Sequence, residues 1–142
     1  MTNKKVITIQ DISCYGQCSL TVALPIISAC GVETAILPSA VLSTHTGGFT
    51  GYTIRDLTDD IPGIINHWEK ESLKFDCLYT GYLGSITQID YVLDMYNRIL
   101  KDNGMLIVDP AMADNGSLYY GFNQEFVANM ARLCGNADII LP

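Results

Sequence analysis

Met105–Asp114, MLIVDPAMAD, is the stretch whose reading decides the fold. Leu106–Val108 is a short apolar run of the kind buried on both faces in a parallel sheet. Pro110 keeps Asp109 out of helical geometry and forces an extended exit from the strand. Two carboxylates, Asp109 and Asp114, then follow within one short loop. Ligands of open α/β sheets bind just beyond the carboxyl ends of the strands, and two acids placed there suit a metal–phosphate site. The alternative reading is a pair of solvated loop acids, or a turn and cap pair.

Working outward, four more apolar runs read as strands: Lys5–Ile9, Ala35–Leu37 with its approach from Val32, Cys77–Thr80 and Asp138–Leu141. Helical stripes lie between them. Ile89, Val92, Leu93, Tyr96, Ile99 and Leu100 share one face, opened by Thr87 as N-cap with Asp90 three residues on. Phe126, Val127, Met130, Leu133 and Cys134 form another, capped by Asn123 and closed by Gly135. Ile61, Ile64, Ile65 and Trp68 form a third, with Asp59 and Asp60 at its positive end. Ser19–Cys30 reads as a helix kinked or delayed by Pro25. The alternation βαβαβαβαβ predicts an α/β fold: an open parallel sheet, right-handed crossovers and helices on both faces. The last run, Ile139–Pro142, is a buried type of strand with no covering segment after it in this sequence, so we expect residues 1–142 to be the N-terminal part of a single larger enzyme domain, incomplete at its C-terminus.

Composition narrows the function. A chain of 142 residues can bury roughly 70% of its unfolded surface, enough for a core. The net charge of −7 argues against a nucleic-acid partner, so phosphate would have to be bound locally, by amides, a metal or a few cations. Cys14, Cys18, Cys30, Cys77 and Cys134 are odd in number and contain no CxxC pair, and only His45 and His67 could join them at zinc. Reduced cytoplasmic thiols are the simplest reading. Lys4–Lys5 followed by Val6–Ile9 is too short for a signal peptide. Val22–Val32 is too short, and interrupted by Pro25, to span a membrane.

Each strand empties into a loop rich in functional residue types. The first gives Asp11, Ser13, Tyr15, Gly16 and Gln17, and the second Ser43-Thr44-His45-Thr46-Gly47-Gly48. The third gives Gly81-Tyr82-Leu83-Gly84-Ser85, and the fourth Asp109, Asp114, Asn115 and Gly116. Parallel topology brings all four to one sheet edge, and that convergence outweighs any single motif. Taken alone, the glycines read as turns, His45 as a side chain fixing its loop, and Tyr15, Tyr82 and Tyr119 as packing. No Walker A or GxGxxG pattern is present. Nothing near Cys14 or Cys18 in sequence would clearly depress a thiol pKa.

Taken together, these stretches resemble a family. Ile9-Gln10-Asp11…Tyr15-Gly16 with Ala23-Leu24-Pro25…Gly31, Leu42-Ser43-Thr44-His45-Thr46-Gly47, Thr80–Ser85 and Val108–Asp114 occur in the order and spacing of pyridoxal kinases of the ribokinase-like superfamily. Ala137–Pro142 looks like the family strand that runs into an Asn-x-x-Glu segment. The resemblance covers essentially the whole chain. It implies a Rossmann-like three-layer fold and transfer of phosphate from MgATP to the 5′-hydroxymethyl group of pyridoxal, pyridoxamine or pyridoxine. ATP and Mg²⁺, with a monovalent cation as an optional third, are the implied cofactors; a B6 vitamer is the implied substrate, and the protein is expected to be a cytoplasmic homodimer. Carried over by position, Asp11, Thr46 and Tyr82 would bind the substrate. Asp109, Asp114 and Tyr119 would serve the nucleotide, the two acids also serving the metal. Asp11 departs from the pattern, because many members have serine there, and a carboxylate could favour an amine or a protonated ring nitrogen. The resemblance also implies that the catalytic base, an Asp in a Gly-rich loop at a helix N-terminus, falls beyond Pro142, so no catalytic residue is assigned here and the 142-residue chain alone is expected to be inactive.

Two other readings stay open. One is a hydroxymethylpyrimidine (phosphate) kinase, a relative with a similar DPxMxD-like loop; the Tyr-Gly after the first strand and the THTG loop favour the pyridoxal branch. The other is a non-catalytic binding or assembly module. A receiver domain would need an acidic pair after the first strand, where there is only Asp11.

Overall fold

A computed structural model describes residues 4–142. The elements, in order, are β1 (Lys5–Ser13), α1 (Leu20–Ala29), β2 (Glu33–Leu42), β3 (Ile54–Asp56), α2 (Ile61–Lys70), β4 (Phe75–Thr80), α3 (Ile86–Arg98), β5 (Leu100–Val108), β6 (Ala113–Asp114), β7 (Ser117–Leu118), α4 (Gln124–Cys134) and β8 (Ile139–Ile140). Six strands form one sheet in the order β3-β2-β1-β4-β5-β8, and β6 and β7 form a separate hairpin. The fold is the expected α/β sheet, but it is mostly rather than wholly parallel: β3 pairs antiparallel to β2 at one edge. The chain moves one way from β1 to β2 and the other way from β4 to β5 and β8. With right-handed crossovers, that reversal puts α1 on one face and the later helices on the other.

The core lies between the sheet and α2, α3 and α4. Ile7 and Ile9, Leu37, Leu78, and Leu106 and Val108 point to this side and are at most 1% exposed. They meet Ile61 and Ile65 of α2, Ile89, Val92 and Met95 of α3, and Phe126, Met130 and Leu133 of α4. Each such side chain contributes roughly 1.5–3 kcal/mol by leaving water. Polar ties lock the helices laterally: Arg98 of α3 reaches Glu69 and Asn66 of α2 as well as Asp94, and Arg132 of α4 pairs with Asp90 of α3. At the opposite end of the strands, Asp76 accepts from Lys101 Nζ at 2.9 Å, the Lys5 amide at 3.0 Å and Lys4 Nζ at 3.1 Å. Those donors, Lys101 first, hold its carboxyl well below the usual range.

The α1 face is covered more sparsely. Val6, Cys77, Tyr79, Ile107 and Leu141 line a shallow apolar groove with Ile27 of α1. Burial, aided by the charges of Asp138 and Asp76, pushes the Cys77 thiol up to about 11, so it stays protonated near neutral pH.

Local chemistry moved several boundaries from their expected places. The cap of α3 is Ser85, not Thr87: its hydroxyl accepts from the Gln88 amide at 3.3 Å. Gln88 in turn accepts from the Gly84 amide, one residue before the cap, at 2.7 Å, so Ser85 and Gln88 together satisfy the start of the helix in a variant of the capping box. Ile99 and Leu100, expected to continue the α3 stripe, cap the helix and begin β5. Asn123 caps α4 as expected, accepting from the Phe126 amide at 3.0 Å. Gly135 closes that helix with φ −64°, without using the left-handed freedom of glycine. Asp60 precedes α2 but makes no side-chain cap bond. Helix α1 continues past Pro25, which lies inside it.

Candidate active site

A cleft of about 880 Å³ opens at the carboxyl ends of β1, β2, β4 and β5. It sits beside the β1–β4 junction, where the strand order reverses, which is where open α/β sheets bind ligands. Its size suits a small molecule. Asp11, Thr46, Tyr82, Asp109 and Tyr119 all line it. Asp114 does not: it lies exposed on β6, where its carboxylate accepts from the Asn115 amide at 2.8 Å.

Asp11 is part of β1 rather than of the loop after it, because pairing with β2 continues to Ser13–Leu42. The register slips between Gln10 and Ile12, and such irregularities re-aim side chains at strand ends. Asp11 is only 6% exposed, and Ser13 Oγ donates to its Oδ2 at 3.1 Å.

The next loop is seated by a close approach. Gly16 has φ +89°, and a β carbon on it would lie 2.0 Å from His45 Cδ2. The His45 amide donates to the Tyr15 carbonyl at 3.2 Å, and its ring meets Phe49 edge-on with centroids 5.0 Å apart. His45 therefore fixes its loop by packing, and Thr46 rides on that loop into the cleft.

Tyr82 is held from behind. Ser39 Oγ donates to the Tyr82 carbonyl at 2.8 Å, and Gln88 Nε2 donates to the Ser39 carbonyl at 3.0 Å and to Thr58 Oγ1 at 2.8 Å. Gln88 is 1% exposed, so one buried amide ties α3, β2, and the loops after β3 and β4 together. Burial raises the Tyr82 hydroxyl pKa, and the charges of Asp11 and Asp56 add to that. Its ring stacks on Phe122, which stacks on Phe126 of α4 at 3.8 Å.

On the opposite wall, the Asp109 amide donates to the Thr80 carbonyl at 3.0 Å, carrying the β4–β5 ladder one residue beyond the strands. Its carboxyl has no hydrogen-bond partner among the described residues, and burial raises its pKa. Burial also raises the Tyr119 hydroxyl, with Asp114 and then Asp109 adding to it. Both acids therefore act electrostatically on Tyr119, although only one faces the cleft. Among the described residues no three His, Cys, Asp or Glu side chains gather around a common point. Mg²⁺ does not require such a cage, being held commonly by one or two carboxylates and the phosphates of its nucleotide. Asp109, half-buried and unpartnered among the described residues, fits that kind of site.

Several wall residues carried no functional signal in the sequence. Val22, Ala23, Ile26 and Ile27 of α1 face the cleft; α1 is apolar nearly all round, so its sequence reads as core. Tyr52 and Ile54 come from the β3 region, and Tyr79 from within β4. Ser19, also on the wall, has φ 52° and ψ −127°, a conformation that costs on the order of 1–3 kcal/mol. Such strain concentrates at functional sites.

A protein from Bacteroides thetaiotaomicron, provisionally named a phosphomethylpyrimidine kinase and crystallised in a form with pyridoxal, is 42% identical with a TM-score of 0.94, over 99% of this chain and 49% of its own. The pyridoxal kinase of Lactobacillus plantarum is 36% identical with a TM-score of 0.90, over 98% of this chain and 49% of its own. Curated pyridoxal kinases match at 26–29% identity over 81–98% of this chain. The chain belongs to the pyridoxal kinase family, with its ribokinase-like fold. This family member spans about half the length, or less, of the curated relatives it matches. A Leishmania donovani pyridoxal kinase in complex with ADP and pyridoxamine shares the fold at 20% identity, with a TM-score of 0.89 over 97% of this chain and 50% of its own. No family model matches the chain. Among the described residues no helix is long and apolar enough to cross a membrane.

Proposed function

We propose that the protein carrying this segment transfers the terminal phosphate of ATP to the 5′-hydroxymethyl group of a B6 vitamer. The observation that carries the reading is the meeting of Asp11, Thr46, Tyr82, Asp109 and Tyr119 in one cleft at the reversal of strand order. In this reading Asp11, Thr46 and Tyr82 form the vitamer side. Asp109 and Tyr119 form the nucleotide side, with Asp114 adding charge from the hairpin. Phosphoryl transfer asks a protein mainly to position reactants and to balance charge. Asp109 would hold Mg²⁺, which neutralises charge on the phosphates, and Asp114 would contribute only its field from the hairpin. The Tyr82 and Tyr119 hydroxyls, kept protonated by burial and neighbouring acids, can donate hydrogen bonds to ring or phosphate oxygens. The ADP held by the Leishmania neighbour supports a nucleotide beside the vitamer. The resemblance further implies a homodimer in a reducing cytoplasm; five unpaired cysteines, Cys14 and Cys30 exposed among them, fit the second part.

The name of the Bacteroides relative favours a second reading, a kinase for hydroxymethylpyrimidine or its phosphate. A coupled ADP-release assay on the full-length protein separates the two. Turnover with pyridoxal, pyridoxamine or pyridoxine is the expected result. Turnover with hydroxymethylpyrimidine and none with any vitamer would transfer the assignment to the second reading.

A further inference from the structure

The wall of the cleft carries two carboxylates, Asp11 and Asp109, and no lysine or arginine. Asp109 belongs to the nucleotide side in the reading above, which leaves Asp11 without a counter-charge. It is 6% exposed and takes part in none of the ion pairs of the described residues. Burying a carboxylate without a cationic partner is costly unless something supplies that partner.

Its surroundings are arranged to leave one oxygen free. Ser13 Oγ donates to Asp11 Oδ2 at 3.1 Å, and Cys18 Sγ donates to Ser13 Oγ at 3.4 Å. Both protons point along the chain toward the carboxylate, so Asp11 is the acceptor at its end. Oδ1 accepts no hydrogen bond from any described residue and is not sealed from solvent. Of the other titratable side chains on this part of the wall, Tyr82 is a phenol held protonated by burial and by Asp11 itself, and the His45 ring packs against Gly16 and edge-on to Phe49.

We propose that Asp11 determines specificity in this cleft, positioned by Ser13 and Cys18, and that it takes a ligand bearing a protonated amine. This rests on the vitamer reading, within which it selects pyridoxamine, whose aminomethyl group is cationic at neutral pH, over pyridoxine, whose equivalent group is a neutral hydroxymethyl. A charge-assisted hydrogen bond to the amine corresponds to a preference of about tenfold or more in kcat/KM.

The test uses the full-length protein, with kcat/KM and calorimetric Kd measured for both vitamers. The wild type should favour pyridoxamine, and Asp11→Asn should abolish the preference, lowering the pyridoxamine-to-pyridoxine ratio of kcat/KM about tenfold. Ser13→Ala should raise KM for pyridoxamine with kcat nearly unchanged, and Ser13→Thr, which restores the hydroxyl, should recover it. Equal treatment of the two vitamers by the wild type, or an unchanged ratio in Asp11→Asn, would overturn the proposal while the vitamer reading stood. Equal losses for both vitamers in Ser13→Ala would overturn the positioning role. Binding of neither vitamer would remove the underlying reading and this inference with it.

Discussion

Asp109→Asn in the full-length protein is expected to lower the MgATP-dependent rate on the order of a hundredfold, the scale seen when a metal site loses a supporting group, while the melting temperature holds or rises. The two halves of this result come from one fact. Asp109 is a partly buried carboxylate with no hydrogen-bond partner, and burial raises its pKa. Its folded pKa therefore lies above the unfolded value of about 3.9. Above the folded pKa, the charge opposes folding; the penalty shrinks as pH falls through that value and is gone below the unfolded one. Removing the charge at neutral pH thus relieves the fold, and the stability gap between variant and wild type should close in acid. A carboxylate retained against its own contribution to stability is what a functional site requires. Thermal melts across pH, combined with rates at several Mg²⁺ concentrations, check both halves. A destabilised Asp109→Asn variant with normal activity per folded molecule would show that the residue serves the fold.

Gly16→Ala should damage the vitamer side of the cleft from a position that does not line it. The new β carbon would fall 2.0 Å from His45 Cδ2 and 2.7 Å from its Nε2, at a φ of +89° that alanine rarely adopts. Backbone strain alone should cost about 1–2 kcal/mol. The His45 ring must also leave its edge contact with Phe49, and Thr46, its neighbour on the loop, moves with it. We expect a lower melting temperature and a KM for the vitamer raised about tenfold, with kcat less affected, since displacement weakens binding in ground and transition states alike. Adding His45→Ala removes the atoms that clash, so the double variant should lose less stability than the two single losses combined. Unchanged stability and KM in Gly16→Ala would mean that the two loops do not rest on each other.

The parts of this molecule that follow from hydrophobic periodicity were legible in the sequence. Buried runs such as Leu78 in β4 and Leu106–Val108 in β5 could only be interior strands, and the α2 and α4 stripes face the core as expected. Boundaries were less legible where two patterns competed. Ile99 and Leu100 satisfy both a helical stripe and a strand, and tertiary packing assigned them to the turn and to β5. Ser85 and Thr87 are both good caps, and the choice went to Ser85 because Gln88 stands three residues on and bonds back to Gly84. The strand β3 has no apolar alternation to announce it, since all three of its residues are exposed at the sheet edge. The β6–β7 hairpin did have a signal: Asn115-Gly116, with φ 48° and 77°, is the pair that tight hairpins favour. That hairpin lifts Asp114 out of the cleft while leaving its field on Tyr119. The family resemblance nominated the five residues that line the cleft, Asp11, Thr46, Tyr82, Asp109 and Tyr119, whereas residue chemistry could not nominate its α1 wall, because an apolar residue facing a ligand and one facing the core look the same in sequence.

The most direct test of the central claim is a crystal structure of the full-length protein with pyridoxamine and a non-hydrolysable ATP analogue. The vitamer ring is expected between Asp11, Thr46 and Tyr82, its 5′-hydroxymethyl group turned toward the terminal phosphate, and Asp109 beside the metal. A vitamer bound elsewhere, or the nucleotide phosphates resting against Asp11 instead of Asp109, would contradict it.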